Sequence, residues 1–209
     1  MATVIDRDQL QDLVAQGALL VEVLKAEEYQ EDHLPGALSI PLAQIDRETV
    51  KTLDQEHPIF HYHAGKLDWM AAGLPTEGEN AKRPRAGTVA RKDVPVCALT
   101  DRVGQVRDRA RAAGWDAAVA VNDDHVVLGL LRSAELDKDA DQPIEEAMRP
   151  GPSTFRPYVP IKEMADYMTQ HKLESSPVTT SDGKLVGLLL RSDAVAQAEG
   201  CPDCVRKMI

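Results

Sequence analysis

"VVLGLLRSAEL" at residues 126–136 and "KLVGLLLRSDA" at residues 184–194 stand 58 positions apart and share a pattern: a short apolar run with a glycine inside it and an acidic residue a few positions on. Working outward from them, the offset continues without a gap. Val127, Gly129, Leu130 and Leu131 fall on Leu185, Gly187, Leu188 and Leu189, while upstream Val103, Val106 and Ala110 fall on Ile161, Met164 and Met168. The upstream sets recur at i, i+3 and i+7, the inward stripe of an amphipathic helix. The turns are "NDDH" (122–125) and "SDGK" (181–184), and Asp182-Gly183 is a strong hairpin signal because glycine accepts positive φ cheaply. Each copy therefore reads strand, helix, strand, hairpin turn, strand, helix: a duplicated β-α-β-β-α unit whose two members need each other's apolar faces.

The rest of the chain bounds the function. Its 209 residues suffice for one large domain or two small ones, and 43% hydrophobic content is ordinary for a buried core. A net charge of −10 repels a phosphate backbone or an anionic lipid surface on average, so neither nucleic acid nor membrane is expected as a partner. No apolar run reaches the roughly 18 residues of a membrane helix, and the N-terminus "MATVIDRDQ" is acidic where a signal peptide is basic and then apolar. A cytoplasmic location is the expectation. The three cysteines, Cys97, Cys201 and Cys204, suit reduced surroundings better than a disulfide framework.

"VPVCALTDRVGQVRDRARAAGWDAAVAVNDDHVVLGLLRSAEL" and "MRPGPSTFRPYVPIKEMADYMTQHKLESSPVTTSDGKLVGLLLRSDAV" together resemble the paired cystathionine-β-synthase-type (CBS) domain over about residues 86–197. The resemblance implies one pseudo-symmetric disc, a homodimer through the pair, and an adenine nucleotide (AMP, ADP or ATP) in the clefts between repeats. In that family the last strand-to-helix step often reads Gly-x-x-Thr/Ser-x-x-Asp, the hydroxyl holding phosphate and the carboxylate taking ribose hydroxyls. The second copy keeps Gly187 and Asp193 but has Leu190 at the hydroxyl position; the first keeps Gly129 but has Arg132 and Glu135 at the other two. Glu135 can still accept from a ribose, and Arg132 can pair with phosphate bidentately. Asp193 can equally cap the helix it begins. The second cleft is the better candidate, with Thr154 and Val178 expected from family position to flank the base.

Upstream, residues 8–42 alternate helix "DQLQDLVAQG", strand "ALLVEV", helix "AEEYQED", turn "HLPGA" and strand "LSIPL", an α/β arrangement. "LLVEVLKAEEYQEDHLPGALSIPL" resembles the rhodanese-like (sulfurtransferase) domain, with Glu22-Val23-Leu24 where members usually read Asp-Val-Arg, and "AGKLDWMAAGLPTEG" (64–78) resembles its closing helix. Between "PIFHY" and that helix an intact member carries an active-site cysteine loop, a helix and a strand, a span of order 30 residues that this chain lacks. His63 and Ala64 stand where the loop would begin. That chemistry needs a thiolate held by loop amides and a helix N-terminus. Residues 1–96 hold no cysteine. The lobe is therefore expected to be inactive as a sulfurtransferase, and marginal alone because a missing central strand leaves apolar surface uncovered.

Other candidates have plainer readings. His57, His61 and His63 share strand parity and can ligate a metal, but Pro58 disrupts the start and no acidic or thiol ligand is near; the polar face of an edge strand is the reading adopted. Cys201-Pro202-Asp203-Cys204 has the C-x-x-C spacing of half a zinc site or a redox pair, but no second pair is near and the motif lies in a terminal tail, so a surface tail is the reading adopted and metal or redox function the alternative. Trp69 and Trp115 are read as core packing over a ligand platform, and Lys82, Arg83 and Arg85 as a solvated linker, with docking on the acidic body of the protein as the alternative.

The expected fold is α/β, a truncated rhodanese-like lobe (1–78), a linker (79–87), CBS repeats at 88–140 and 141–198, and a tail at 199–209. The expected function is non-catalytic ligand sensing without a metal or required cofactor. The alternatives are a dimerisation scaffold and a residual sulfurtransferase.

Overall fold

The computed structural model describes residues 2–46 and 58–200; His57, Cys201 and Cys204, weighed above, lie outside the described residues. The chain divides into two compact units, Met1–Met70 with Leu74–Lys82, and Ala71–Gly73 with Arg83–Ile209. No helix among the described residues is long and apolar enough to cross a membrane.

In the first unit, strand β1 (Thr3–Ile5) leads into helix α1 (Arg7–Ala15). Asp6 starts the helix because its carboxylate accepts from the Gln9 amide at 2.9 Å while Gln9 Oε1 accepts from the Asp6 amide at 3.0 Å, a reciprocal cap. Strand β2 (Val21–Glu22), helix α2 (Ala26–Glu31), strand β3 (Leu38–Ser39), strand β4 (Phe60–Tyr62) and helix α3 (Gly65–Ala71) follow. The strands expected over 18–23 and 38–42 contract to two residues each, since the ladder consists of Val21 opposite Leu38 and Glu22 opposite Ser39, and Leu42–Gln44 turns into a short 3₁₀ segment. Strand β1, which the sequence reading did not name, pairs in parallel with β4. The two pairs are separate two-stranded sheets.

Ile5, Leu10, Leu34, Ala37 and Trp69 form the small core of this unit, and Trp69 Nε1 donates to the Pro75 carbonyl at 2.7 Å, so Trp69 is core packing as expected. Large apolar side chains nonetheless remain on the surface: Val4, Leu19, Leu42, Ile59 and Leu67 are each 59–70% exposed. His61 and His63 are exposed and meet edge to face, with ring centroids 5.6 Å apart.

The second unit carries the repeat. Copy 1 comprises β5 (Val96–Cys97), α5 (Val103–Ala112), β6 (Ala118–Val121), β7 (Val127–Leu131) and the short α6 (Ser133–Leu136). Copy 2 comprises α8 (Ile161–Gln170), β9 (Ser175–Thr179), β10 (Leu185–Leu190) and α9 (Arg191–Glu199), its first strand being reduced to a parallel bridge from Phe155 to Val178. Val103, Val106, Ala110, Ile161, Met164 and Met168 are all 0–1% exposed, so the helical stripes face inward as the spacing requires. At the hairpins, His125 (φ 60°) occupies the position that Gly183 (φ 85°) takes in copy 2. Asn122 holds that turn by accepting from the Asp124 and Val126 amides.

What the sequence reading did not anticipate is an exchange between copies. Helix α4 (Ala86–Val89) lies just before copy 1, yet Ala86 and Ala90 belong to the core of copy 2 with Ile161, Met164, Met168, Val178 and Leu189. Its counterpart α7 (Ile144–Ala147), 58 residues on, buries Ile144 and Ala147 in the core of copy 1. The segments after these helices cross over as well: Arg91 bridges Leu188 of β10, and β8 (Arg149–Pro150) pairs with β7. Each copy's sheet is thus completed by a piece from the other, so neither copy has a closed core alone. The residues expected as linker, 79–87, divide accordingly: Glu79 and Asn80 donate amides to Gln30 and Glu31 of the first unit, whereas Ala86 is fully buried in the second. Trp115 is buried in the copy-1 core as expected.

Candidate functional site

The strand-to-helix steps β7–α6 and β10–α9 place the candidate residues at equivalent points of the two copies. At the first step Arg132 is the N-cap of α6, and its backbone amide donates to Glu135 Oε2 at 3.0 Å. The carboxylate's other oxygen accepts from Arg149 Nε at 2.6 Å. Burial alone would raise the Glu135 pKa, since its side chain is 6% exposed, but these bonds hold it below the usual carboxylate range. Arg132 reaches across to copy 2, donating from Nε to Ser175 Oγ at 3.2 Å and from Nη2 to the Ser175 carbonyl at 2.9 Å. Partial burial, with Arg149's like charge close by, lowers the Arg132 pKa from its ordinary value.

At the second step Asp193 faces Arg91, which grips it with two parallel bonds, Nε to Oδ2 at 2.7 Å and Nη2 to Oδ1 at 3.0 Å, the fork geometry that suits arginine. This bond holds the Asp193 carboxyl below the usual range. Helix α9 starts at Leu190 without a side-chain cap, so the capping role considered for Asp193 is taken over by the ion pair. Arg91 also lies 5.7 Å from the Trp115 ring centroid, and its main chain exchanges bonds with Leu188 at 3.0 and 2.9 Å.

The shared repeat position of the two glycines, 58 residues apart, has a packing cause. A Cβ at Gly187 would come within 2.6 Å of the Arg91 carbonyl oxygen, and one at Gly129 within 2.1 Å of Met148 Sδ. Gly187 is therefore needed where the exchanged segment crosses the sheet, whatever a ligand does, whereas at Gly129 the flexible Met148 side chain is the main obstacle. Thr154 is exposed beside the bridge that Phe155 makes to β9, with the Phe155 amide bonded to the Pro177 carbonyl. Val178 is fully buried in the copy-2 core, so its side chain is packing, and its main chain lies between Gly187 of β10 and the Phe155 bridge.

The structure thus gathers Gly129, Arg132 and Glu135 with Arg149 and Ser175, and Gly187 and Asp193 with Arg91. Arg91, Arg149 and Ser175 were missed. The signal existed, because Arg91 and Arg149 are themselves 58 residues apart, but it becomes meaningful only once the crossover is known. A separate open groove of about 480 Å³ runs between α8 and α9, lined by residues including Lys162, Ala165, Asp166, Val195 and Glu199; it includes none of the candidate residues.

Comparison with known proteins places this geometry. The family model of the CBS domain matches residues 144–199. The CBS domains of a transcriptional regulator from Streptococcus pneumoniae are 20% identical over 54% of this chain and 98% of theirs, with a TM-score of 0.50. CBSX2, a CBS-pair protein from Arabidopsis thaliana, was solved with AMP and is 19% identical over 56% of this chain and 96% of its own, TM-score 0.50. The CBS domain pair of protein MJ0100, solved with 5′-methylthioadenosine and S-adenosyl-L-methionine, is 16% identical over 56% and 98%, TM-score 0.51. These likenesses establish the CBS-pair fold for the second unit.

Proposed function

We propose that the protein is a non-catalytic sensor whose CBS pair binds an adenosine-containing ligand between its repeats and passes the occupancy on as a change in how the copies pack. The observation that carries this reading is the position of Glu135 and Asp193: each lies at a strand-to-helix step and is gripped by an arginine of the exchanged segment, at 2.6 and 2.7 Å respectively. A ribose diol donating to either carboxylate would compete with that arginine, so occupancy and inter-repeat contact are linked. The shift is set by the ligand's differential affinity for the two arrangements. Gly187, Asp193, Thr154 and the β9 segment at Val178 are the proposed surroundings in copy 2, and Gly129, Arg132 and Glu135 those in copy 1. The solved neighbours that carry AMP or S-adenosyl-L-methionine support this class of ligand.

The first unit is proposed as a rhodanese-like lobe that has lost its nucleophile, in a cytoplasmic protein that forms homodimers through the CBS pair. The lack of cysteine in residues 1–96 supports the inactive reading, and the split between β1–β4 and β2–β3 fits a missing central strand. Thiocyanate formation from thiosulfate and cyanide, abolished by replacing Cys97, Cys201 or Cys204, would overturn it.

A scaffold that dimerises without a nucleotide is the second reading, favoured by the fact that both carboxylates already have arginine partners. Thermal melting separates the two. A ligand present at a hundred times its Kd stabilises by about 2.7 kcal/mol, so adenosine nucleotides raise the melting temperature of a sensor and leave a scaffold unmoved.

A further inference from the structure

We infer that His61 and His63 form a surface chelate for a zinc-class divalent ion, with two protein ligands and the remaining coordination positions open to water. The site lies in the first unit and is independent of the clefts between the repeats.

Alternation along β4 creates it. Tyr62 turns inward, packing on the core of the first unit and donating its hydroxyl to Asp68 at 2.7 Å. His61 and His63, one position to either side, therefore emerge together on the outer face, and both are exposed. Strand β1 fixes the backbone beneath them, with Val4 opposite His61, and the turn that leads into α3 begins at His63. The two ring centroids lie 5.6 Å apart. A metal bound to one nitrogen of each ring at about 2.1 Å holds tetrahedrally disposed rings about 5 Å apart and square-planar neighbours about 4.5 Å apart. The observed spacing is thus a small side-chain rotation away from the tetrahedral arrangement that zinc takes. Neither ring has a hydrogen-bond or ion-pair partner among the described residues, so no existing bond has to break when an ion enters.

In the sequence these histidines lacked a closing ligand, and among the described residues no group of three or more His, Cys, Asp or Glu is placed to hold a metal. The coordination is accordingly open. Two imidazoles with water favour zinc, copper and nickel over magnesium and calcium, which prefer carboxylate and carbonyl oxygens. An ion that binds only when β4 and the turn after it are in place also stabilises the first unit, whose core is small.

The test is calorimetric titration of the full chain with zinc, with magnesium and calcium as controls, alongside thermal melting. Cys201 and Cys204 have spacing that itself suits zinc, so the parent for the comparison carries Cys201→Ser and Cys204→Ser. One zinc per chain should bind and raise the melting temperature, while magnesium and calcium should give no heat. His61→Ala and His63→Ala each leave a single ligand and should weaken zinc by roughly a hundredfold, the low end of what linking two contacts gains. His171→Ala, at an exposed histidine outside the pair, should change nothing. His63→Ala lies beyond the strand and keeps the readout should His61→Ala disturb β4. Equal weakening by all three histidine variants would mean scattered adventitious binding and would overturn the inference. Zinc binding that vanishes with the two cysteines, or no binding at all, would overturn it as well. One zinc per two chains, still lost in His61→Ala and His63→Ala, would keep the pair as ligands and overturn the open coordination, because a second copy would then complete the site.

Discussion

Replacing Gly187 by alanine tests the exchanged architecture more sharply than any surface change. The added Cβ would sit 2.6 Å from the Arg91 carbonyl oxygen, 3.1 Å from its carbon and 3.2 Å from Ala90 Cβ. The first two obstacles are main chain and cannot rotate away. Relief requires moving residues 90–91 off β10, which stretches the two bonds at 3.0 and 2.9 Å between Arg91 and Leu188. Overpacking of this kind costs about 1–3 kcal/mol and stretching the two hydrogen bonds about 1 kcal/mol in all, so a loss of about 2–4 kcal/mol is expected. At about 3 °C per kcal/mol the melting temperature falls by about 6–12 °C. Gly129→Ala is the internal control. Its Cβ meets Met148 Sδ at 2.1 Å and Cγ at 2.8 Å, with the Arg149 carbonyl farther off at 3.2 Å. A methionine can change rotamer, so the cost is about 1 kcal/mol. Thermal unfolding of the full chain followed by circular dichroism should separate the two variants clearly. Equal melting temperatures, or a Gly187→Ala protein as stable as the parent, would refute the crossing of Arg91 over β10.

Further outcomes follow from individual groups. Glu135 and Asp193 both have depressed pKa values in the folded state, so their contribution to stability is complete above the ordinary carboxylate range and is lost as pH falls through the folded values, below about pH 4. An Asp193→Asn, Glu135→Gln double variant should therefore show a flatter acid limb in urea titrations, and an unchanged limb would contradict the pairing. In the first unit, Lys66 Nζ bonds Glu22 Oε1 at 2.7 Å while Glu22 Oε2 is buried without a partner among the described residues. Lys66→Met leaves that carboxylate uncompensated at a cost of about 3–5 kcal/mol, and Glu22→Met added to it should recover most of the loss, as read by the first unit's unfolding transition. Burial, with Asp101 adding to it, pushes the Cys97 thiol up to about 12, so peptide mapping after alkylation of the folded protein at mildly alkaline pH should find Cys97 unmodified, and labelled only once the chain is unfolded.

The repeat was legible because a gapless offset and a helical stripe are local signals: Val103, Val106, Ala110 and their counterparts are inward for reasons contained in their own spacing. The crossover was not legible. Ala86 and Ile144 sit in short segments whose apolar residues carry no period, and their burial depends on a partner copy far along the chain. Gly129, Gly187, Glu135 and Asp193 could be picked out as candidates because the resemblance to the CBS strand-to-helix pattern implied them, while the arginines that hold the two carboxylates could not. In the first unit, helix α1 was expected from its pattern and its Asp6 cap agrees with it. The strands came out shorter because a run such as "ALLVEV" marks a region able to extend, whereas its pairing length is set by where a neighbour stops, at Ser39.

The direct test of the central claim is isothermal titration of the full chain with AMP and ATP. The account predicts saturable binding with a heat that disappears when Asp193 and Glu135 are both neutralised, because the carboxylates at the two steps are the ligand's proposed holds. No heat with either nucleotide up to saturating concentration would contradict it, as would binding that is indifferent to the loss of both carboxylates.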